Sequence, residues 1–141
     1  MYRKIIWATD GSAAADAALP QVRELASTQG SAVVVVHCEQ SFVGPIAYGL
    51  SVNADEADLQ NKIKKQAEEL QGEGFDVTTE FVAGRAGIAA HAIADAAKND
   101  DADLIVVGTR GHTAIGGLLL GSVTQRLLQV APCPVLAVPD R

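Results

Sequence analysis

The sequence predicts a doubly wound α/β domain with a mostly parallel sheet. Three observations carry this expectation. Five short apolar runs rich in β-branched residues recur along the chain: Ile5-Ile6-Trp7, Val33-Val34-Val35-Val36, Val77 to Phe81, Leu104-Ile105-Val106-Val107 and Val135-Leu136-Ala137-Val138. The segments between them space their apolar residues as helices do. Strands alternating with helices in this way place helices on both faces of the sheet through right-handed crossovers. At 141 residues and 48% hydrophobic composition, the chain is expected to form one domain, residues 1–141, with a single sizeable core.

Residues 3–9 read as the first strand, ending at Asp10-Gly11-Ser12. An Ala-rich helix follows from Ser12 to about Ser27. Pro20 lies inside it and removes one hydrogen bond while crowding an earlier carbonyl, so a kink or a late start is expected there. Ser31 to Cys38 reads as a strand covered on both faces. The segment Glu39 to Asn53, rich in Gly, Pro and Ser, reads as a long loop and a candidate lid. From Asp55 to Gln71, Leu59, Ile63, Ala67 and Leu70 share one helical face and Lys62, Lys64, Lys65, Glu68 and Glu69 lie largely elsewhere, as in an ordinary surface helix. Asp76 to Val82 alternates like an edge strand with one wet face. Ala86 to Lys98 is a helix with Ile88, Ala92, Ile93, Ala96 and Ala97 turned inward, residues 103–107 form a fourth strand, and Val123 to Leu128 a last helix. Pro134 to Val138 closes the sheet.

A formal charge of −6 argues against broad contact with nucleic acid or an anionic membrane surface. No segment has the length of a bilayer span or of a signal peptide's apolar region. Cys38 and Cys133 form neither a CxxC pair nor part of a ligand cluster, so reduced thiols, a cytoplasmic setting and no structural metal are expected.

The chemistry concentrates in Gly108-Thr109-Arg110-Gly111 and, nine residues later, Gly121-Ser122. Glycines let the backbone approach a ligand closely. Ser122 opens the last helix, where unpaired N–H groups and the positive end of the helix dipole favour a phosphate. Arg110 is the cation inside the motif. No lysine follows Lys98, so a triphosphate here would arrive with Mg²⁺. The plainer alternative makes Gly108 and Gly111 turn residues and Ser122 a helix cap. The pattern is neither a Walker loop, which needs Gly-Lys-Ser/Thr, nor the Gly-x-Gly-x-x-Gly of dinucleotide binders.

In a doubly wound sheet ligands bind at the carboxyl ends of the strands, where the strand order reverses. With the first and fourth strands adjacent across that reversal, Asp10 and the glycine loop face one crevice. Asp10 can accept from a ribose or an adenine amino group, or simply cap its own turn. Val36 and Cys38 either line an adenine pocket or belong to the core. A Ser122–His112–Asp10 set lacks any nucleophile elbow, and His37 and His91 read as satisfied structural residues.

These residues resemble the universal stress protein family, in which Gly-x2-Gly-x9-Gly-Ser/Thr marks the ATP-binding members. The matching positions are Gly108, Gly111, Gly121 and Ser122. The likeness extends to Ile5-Ile6-Trp7-Ala8-Thr9-Asp10-Gly11-Ser12, Val36-His37-Cys38, residues 101–111 and Ala131-Pro132-Cys133-Pro134-Val135-Leu136-Ala137-Val138. It implies a sheet in the order 3-2-1-4-5 with four helices. It makes Asp10, with Thr9 beside it, the carboxylate that meets base or ribose, and puts Cys38, usually a valine, on the adenine side. Gly108, Thr109, Arg110, Gly111, Gly121, Ser122 and Val123 become the phosphate-contacting set. Family members are typically cytoplasmic homodimers acting in stress response or signalling, without an agreed reaction. The resemblance therefore implies an ATP-binding regulatory module. A slow ATPase or adenylyl-transferring enzyme using His112, and a nucleotide-free dimeric adaptor, are the alternatives. Val135 to Val138, uncharged on an edge strand, is the expected dimer contact.

Overall fold

The computed structural model describes residues 1–41, 46–85, 89–109 and 121–140. Its elements are β1 (Lys4–Ala8), α1 (Ala13–Asp16), α2 (Leu19–Gln29), β2 (Ala32–Ser41), α3 (Ile46–Gly72), β3 (Val77–Arg85), α4 (Ala89–Asn99), β4 (Leu104–Gly108), α5 (Ser122–Val130) and β5 (Val135–Val138). All five strands pair in parallel, in the order β3-β2-β1-β4-β5. This is the expected doubly wound architecture with four helical crossovers, the first of them split in two.

The split falls where Pro20 predicted it. Pro20 occupies the first turn of α2, a position whose N–H would have no helical partner in any case, so a new helix starts there at little cost. Ser12 caps α1 by accepting from the Ala15 N–H at 3.2 Å.

Alternation along the strands divides the core into two layers. Ile5, Trp7, Val33, Val35, Leu104 and Val106 pack with Val22 of α2 and with Ile63, Ala67 and Leu70 of α3. Ile6, Ala8, Val34, Val36, Ile105 and Val107 face the opposite side, against the alanines of α4 and Leu127 of α5. The small side chains of α4 (Ala89, Ala90, Ala94, Ala96 and Ala97, all buried) let that helix lie close to the sheet. Trp7 is fully buried, and its indole N–H donates to the Ala15 carbonyl at 3.1 Å, fixing α1 over β1. Burying an indole is worth at most roughly 4–6 kcal/mol by area.

Two expectations need correction. The segment Glu39 to Asn53 is not one long loop: β2 runs on to Ser41 and α3 is already helical at Ile46, with 42–45 outside the described residues. Gly49 and Ser51 lower helix propensity, but extending a helix of 27 residues adds a hydrogen bond per residue without a new nucleation step. His91 is exposed on α4 rather than a satisfied structural residue. Ile88, expected to face inward, lies outside the described residues, as do 86 and 87.

At the β3 edge, burial, a hydrogen bond with Asp100 and the negative charge of Asp100 push the Glu80 carboxyl up to about 7, with Lys4 opposing. Asp100 Oδ2 is buried with no other donor, and a hydrogen bond between two carboxyls needs one of them, here Glu80, to be protonated. A carboxyl raised in the fold stabilises it while protonated. That contribution is complete below the ordinary value of 4.5 and is lost as pH rises toward 7. Wild type should therefore lose thermal stability over this interval and Glu80→Gln should lose less; parallel melting curves would exclude the shared proton. A second prediction concerns Gly108, where a Cβ would stand 2.5 Å from the Ala14 carbonyl oxygen. Gly108→Ala should lower unfolding free energy by about 1–3 kcal/mol in urea, and an unchanged midpoint would mean that α1 gives way.

Candidate functional site

The strand order reverses between β1 and β4, so the connections leaving their carboxyl ends diverge to opposite faces and leave a crevice. On one side of it stands the turn Thr9-Asp10-Gly11-Ser12. Thr9 is buried with all of its polar groups engaged. Its N–H donates to the Val36 carbonyl at 2.9 Å, its hydroxyl oxygen accepts from the Gly11 N–H at 3.0 Å, and its carbonyl accepts from His37 Nδ1 at 2.9 Å. Asp10 Oδ1 accepts from the Ser12 N–H at 2.9 Å. The turn-capping role of Asp10 is thus present, and its half-buried carboxylate stands at the mouth of the crevice.

Gly11 has φ +79°, and a Cβ there would meet Leu59 Cδ2 at 2.5 Å. Only glycine suits both the backbone and the space.

On the other side β4 ends at Gly108, against α1. Thr109 donates its N–H to the Val138 carbonyl at 3.1 Å, continuing the β4–β5 pairing by one residue. The Gly121 N–H then donates to the Thr109 carbonyl at 2.5 Å, and the buried Thr124 hydroxyl donates to the Gly108 carbonyl at 2.9 Å. These two bonds bring the ends of the glycine pattern side by side. Gly121 is the N-cap of α5, in extended backbone (φ −67°, ψ 158°), with no side chain bonded back to the first turn. Ser122 is the first helical residue, not the cap, and is exposed, with Val123 half-buried beside it. α5 thus starts beside the end of β4, and its N-cap residue offers the first-turn N–H groups no side-chain cap. Arg110, Gly111 and His112 lie outside the described residues.

Cys38 sits near the end of β2, paired in register with Val82 of β3. Its thiol faces the Glu39 carbonyl at 3.8 Å, and burial, reinforced by Glu56 and Glu39, raises its pKa, which makes it a poor nucleophile. Both cysteines are unpaired. Among the described residues, no cluster of three or more His, Cys, Asp or Glu could hold a metal. No helix there is long and apolar enough to cross a membrane.

Sequence reasoning missed the contribution of α3. Its expected outward Lys62 instead reaches back, donating to the Gly11 carbonyl at 2.8 Å and to Asp16 Oδ2 at 2.7 Å. Glu56 meets His37, and Gln60 donates to Glu39 at 2.6 Å. These partners are far apart in sequence, and helical periodicity carries no signal of them.

The model of the universal stress protein family matches residues 1–139. A universal stress protein of Thermus aquaticus, encoded in the 3' region of a QAH/OAS sulfhydrylase, is 36% identical over 98% of this chain and 99% of its own length. Universal stress protein MJ0577 of Methanocaldococcus jannaschii is 29% identical over 98% of this chain and 95% of its own. Its solved structure superposes with a TM-score of 0.75, covering 100% of this chain and 98% of that one. A universal stress protein family protein from Arabidopsis thaliana, solved with AMP bound, has a TM-score of 0.73 at 15% identity, covering 99% of this chain and 92% of that one. At that identity the likeness is one of fold. With its sheet order, its strand-end crevice and a family model matched over residues 1–139, the chain belongs to the universal stress protein family.

Proposed function

We propose that this protein binds an adenine nucleotide, ATP with Mg²⁺, in the crevice between β1 and β4 and acts as a nucleotide-dependent stress-response or signalling module. The observation that carries the reading is the hydrogen bond from the Gly121 N–H to the Thr109 carbonyl. It sets Gly108-Thr109 beside Gly121-Ser122 at the start of α5, where first-turn backbone N–H groups can meet a phosphate.

In this reading Gly108 and Gly121, bonded through their backbones to Thr124 and Thr109, hold the two ends of the motif together with no side chain of their own. Thr109 and the exposed Ser122 add hydroxyls, and the Ser122 and Val123 amides point along the helix dipole. Arg110 and Gly111 complete the phosphate set by motif spacing. Asp10 takes a ribose hydroxyl or an adenine amino group, beside Thr9, and the chain near Cys38 borders the base. Mg²⁺, held by the phosphates, offsets charge that Arg110 alone cannot neutralise. The AMP-bound Arabidopsis protein is a second support, limited to the fold.

The site is read as one that holds nucleotide without a dedicated reaction. His37 is bonded to Thr9 and Glu56, His91 is exposed on α4, and the Cys38 thiol is kept protonated. Unpaired Cys38 and Cys133 suit a reducing cytoplasm. The functional unit is proposed to be a homodimer through β5: this edge strand carries Val135, Leu136, Ala137 and Val138, all only half-buried in the single chain.

Denatured purified protein should release an adenine nucleotide detectable by mass spectrometry, and the emptied protein should bind Mg-ATP in calorimetry. Gly121→Val, at a backbone conformation open to any side chain, should fold normally and lose at least about tenfold in affinity. Undiminished binding would mean that the phosphate lies elsewhere. For the dimer, sedimentation at micromolar concentration should give twice the chain mass, and Leu136→Lys should give the monomer. A wild-type monomer would remove the β5 interface.

A further inference from the structure

Helix α3 closes over the turn that follows β1. Leu59 lies against Gly11, whose φ of +79° turns the chain in a way that other residues rarely adopt. On the same face of the helix, Lys62 Nζ donates to the Gly11 carbonyl at 2.8 Å and to Asp16 Oδ2 at 2.7 Å. Gln66 Nε2 donates to the other oxygen of Asp16 at 2.9 Å. The ammonium is therefore seated. Two of its three N–H groups are engaged, and the carboxylate that receives one of them is itself held from α3.

The Gly11 carbonyl and the Ser12 N–H belong to one peptide unit, which is planar and turns as a whole. At one end the carbonyl accepts from Lys62, and at the other the N–H donates to Asp10 Oδ1 at 2.9 Å. Turning the unit breaks both bonds at once. A cation on the carbonyl also polarises the unit, which strengthens the bond its N–H gives to the carboxylate. The preceding unit is fixed separately, with the Gly11 N–H donating to the Thr9 hydroxyl oxygen at 3.0 Å. Lys62 is thereby linked to Asp10 through a single peptide.

We propose that Lys62 is a positioning residue of the nucleotide site: by holding the Gly11–Ser12 peptide it aims the Asp10 carboxylate at the nucleoside part of the ligand. This rests on the nucleotide-binding reading above. The ion pair with Asp16 is too exposed to contribute much by itself, the two side chains being 42% and 33% accessible. Its part is to keep the ammonium where the Gly11 carbonyl can accept from it. Gly11 is buried, so a carbonyl deprived of Lys62 turns toward solvent for another donor, and the Ser12 N–H turns away from Asp10 with it.

Lys62→Met keeps an apolar stem and removes the donors. In calorimetry with Mg-ATP it should weaken binding roughly fivefold. In the Asp10→Ala background the same substitution should change affinity by less than about twofold, because the two residues act as one unit. Equal factors in both backgrounds would overturn the proposal, since a lysine that met the phosphates itself, or only steadied the fold, would act with the Asp10 carboxylate gone. Undiminished affinity in the single variant would overturn it as well. Amide hydrogen exchange in the nucleotide-free protein tests the link on its own. Ser12 should exchange at least about fivefold faster in Lys62→Met, while the Thr9 amide, bonded to the Val36 carbonyl, stays as protected as in wild type and marks the intact sheet. Unchanged exchange at Ser12 refutes the link. Failure of wild type to bind Mg-ATP would sink the nucleotide reading instead, and exchange at Ser12 would still decide whether Lys62 orders the turn.

Discussion

The reversal of strand order between β1 and β4 is the constraint on which the rest of this structure depends. Right-handed crossovers send β2 and β3 to one side of β1, and β4 and β5 to the other. The two strand ends at the centre therefore lack a shared covering helix. Everything proposed for the site exploits that gap: a tight turn after β1, a bare Gly108 at the end of β4 that lets α1 come within reach, and the start of α5 bonded beside it.

Thr9 is where the constraint becomes rigid. A residue at the end of a central strand would ordinarily leave polar groups to solvent. Here its amide is taken by β2, its hydroxyl by its own turn and its carbonyl by His37. A buried residue satisfied from three directions has little freedom to shift, since moving it would strand a donor or acceptor in a dry environment. The rim is consequently framed before any ligand arrives, which reduces the ordering cost of binding.

Much of this was legible in the sequence because it is local. Val33 to Val36 could hardly be anything but a two-sided strand, Pro20 marked the break between α1 and α2, and the spacing from Gly108 to Ser122 marked a turn into a helix. The strand ends that position Thr9, Asp10 and Gly108 followed from the same patterns, whereas β2 runs three residues past its expected end at Cys38. What stayed hidden is non-local. Lys62 looked like a solvent-facing lysine because its helical face says nothing of Gly11, fifty-one residues away. Gly49 and Ser51 suggested a loop because propensity is a per-residue signal, whereas α3 persists as a continuous helix. Gly11 reads as an ordinary turn glycine until Leu59 is placed above it.

The bond between the Gly121 amide and the Thr109 carbonyl has an architectural consequence. It pins Gly121 to Thr109, while Thr109 is bonded on to β5 and Thr124 to β4. The sheet and α5 can therefore serve as one constant socket, because the Gly121 and Thr124 bonds keep the start of the helix and the end of β4 from drifting apart.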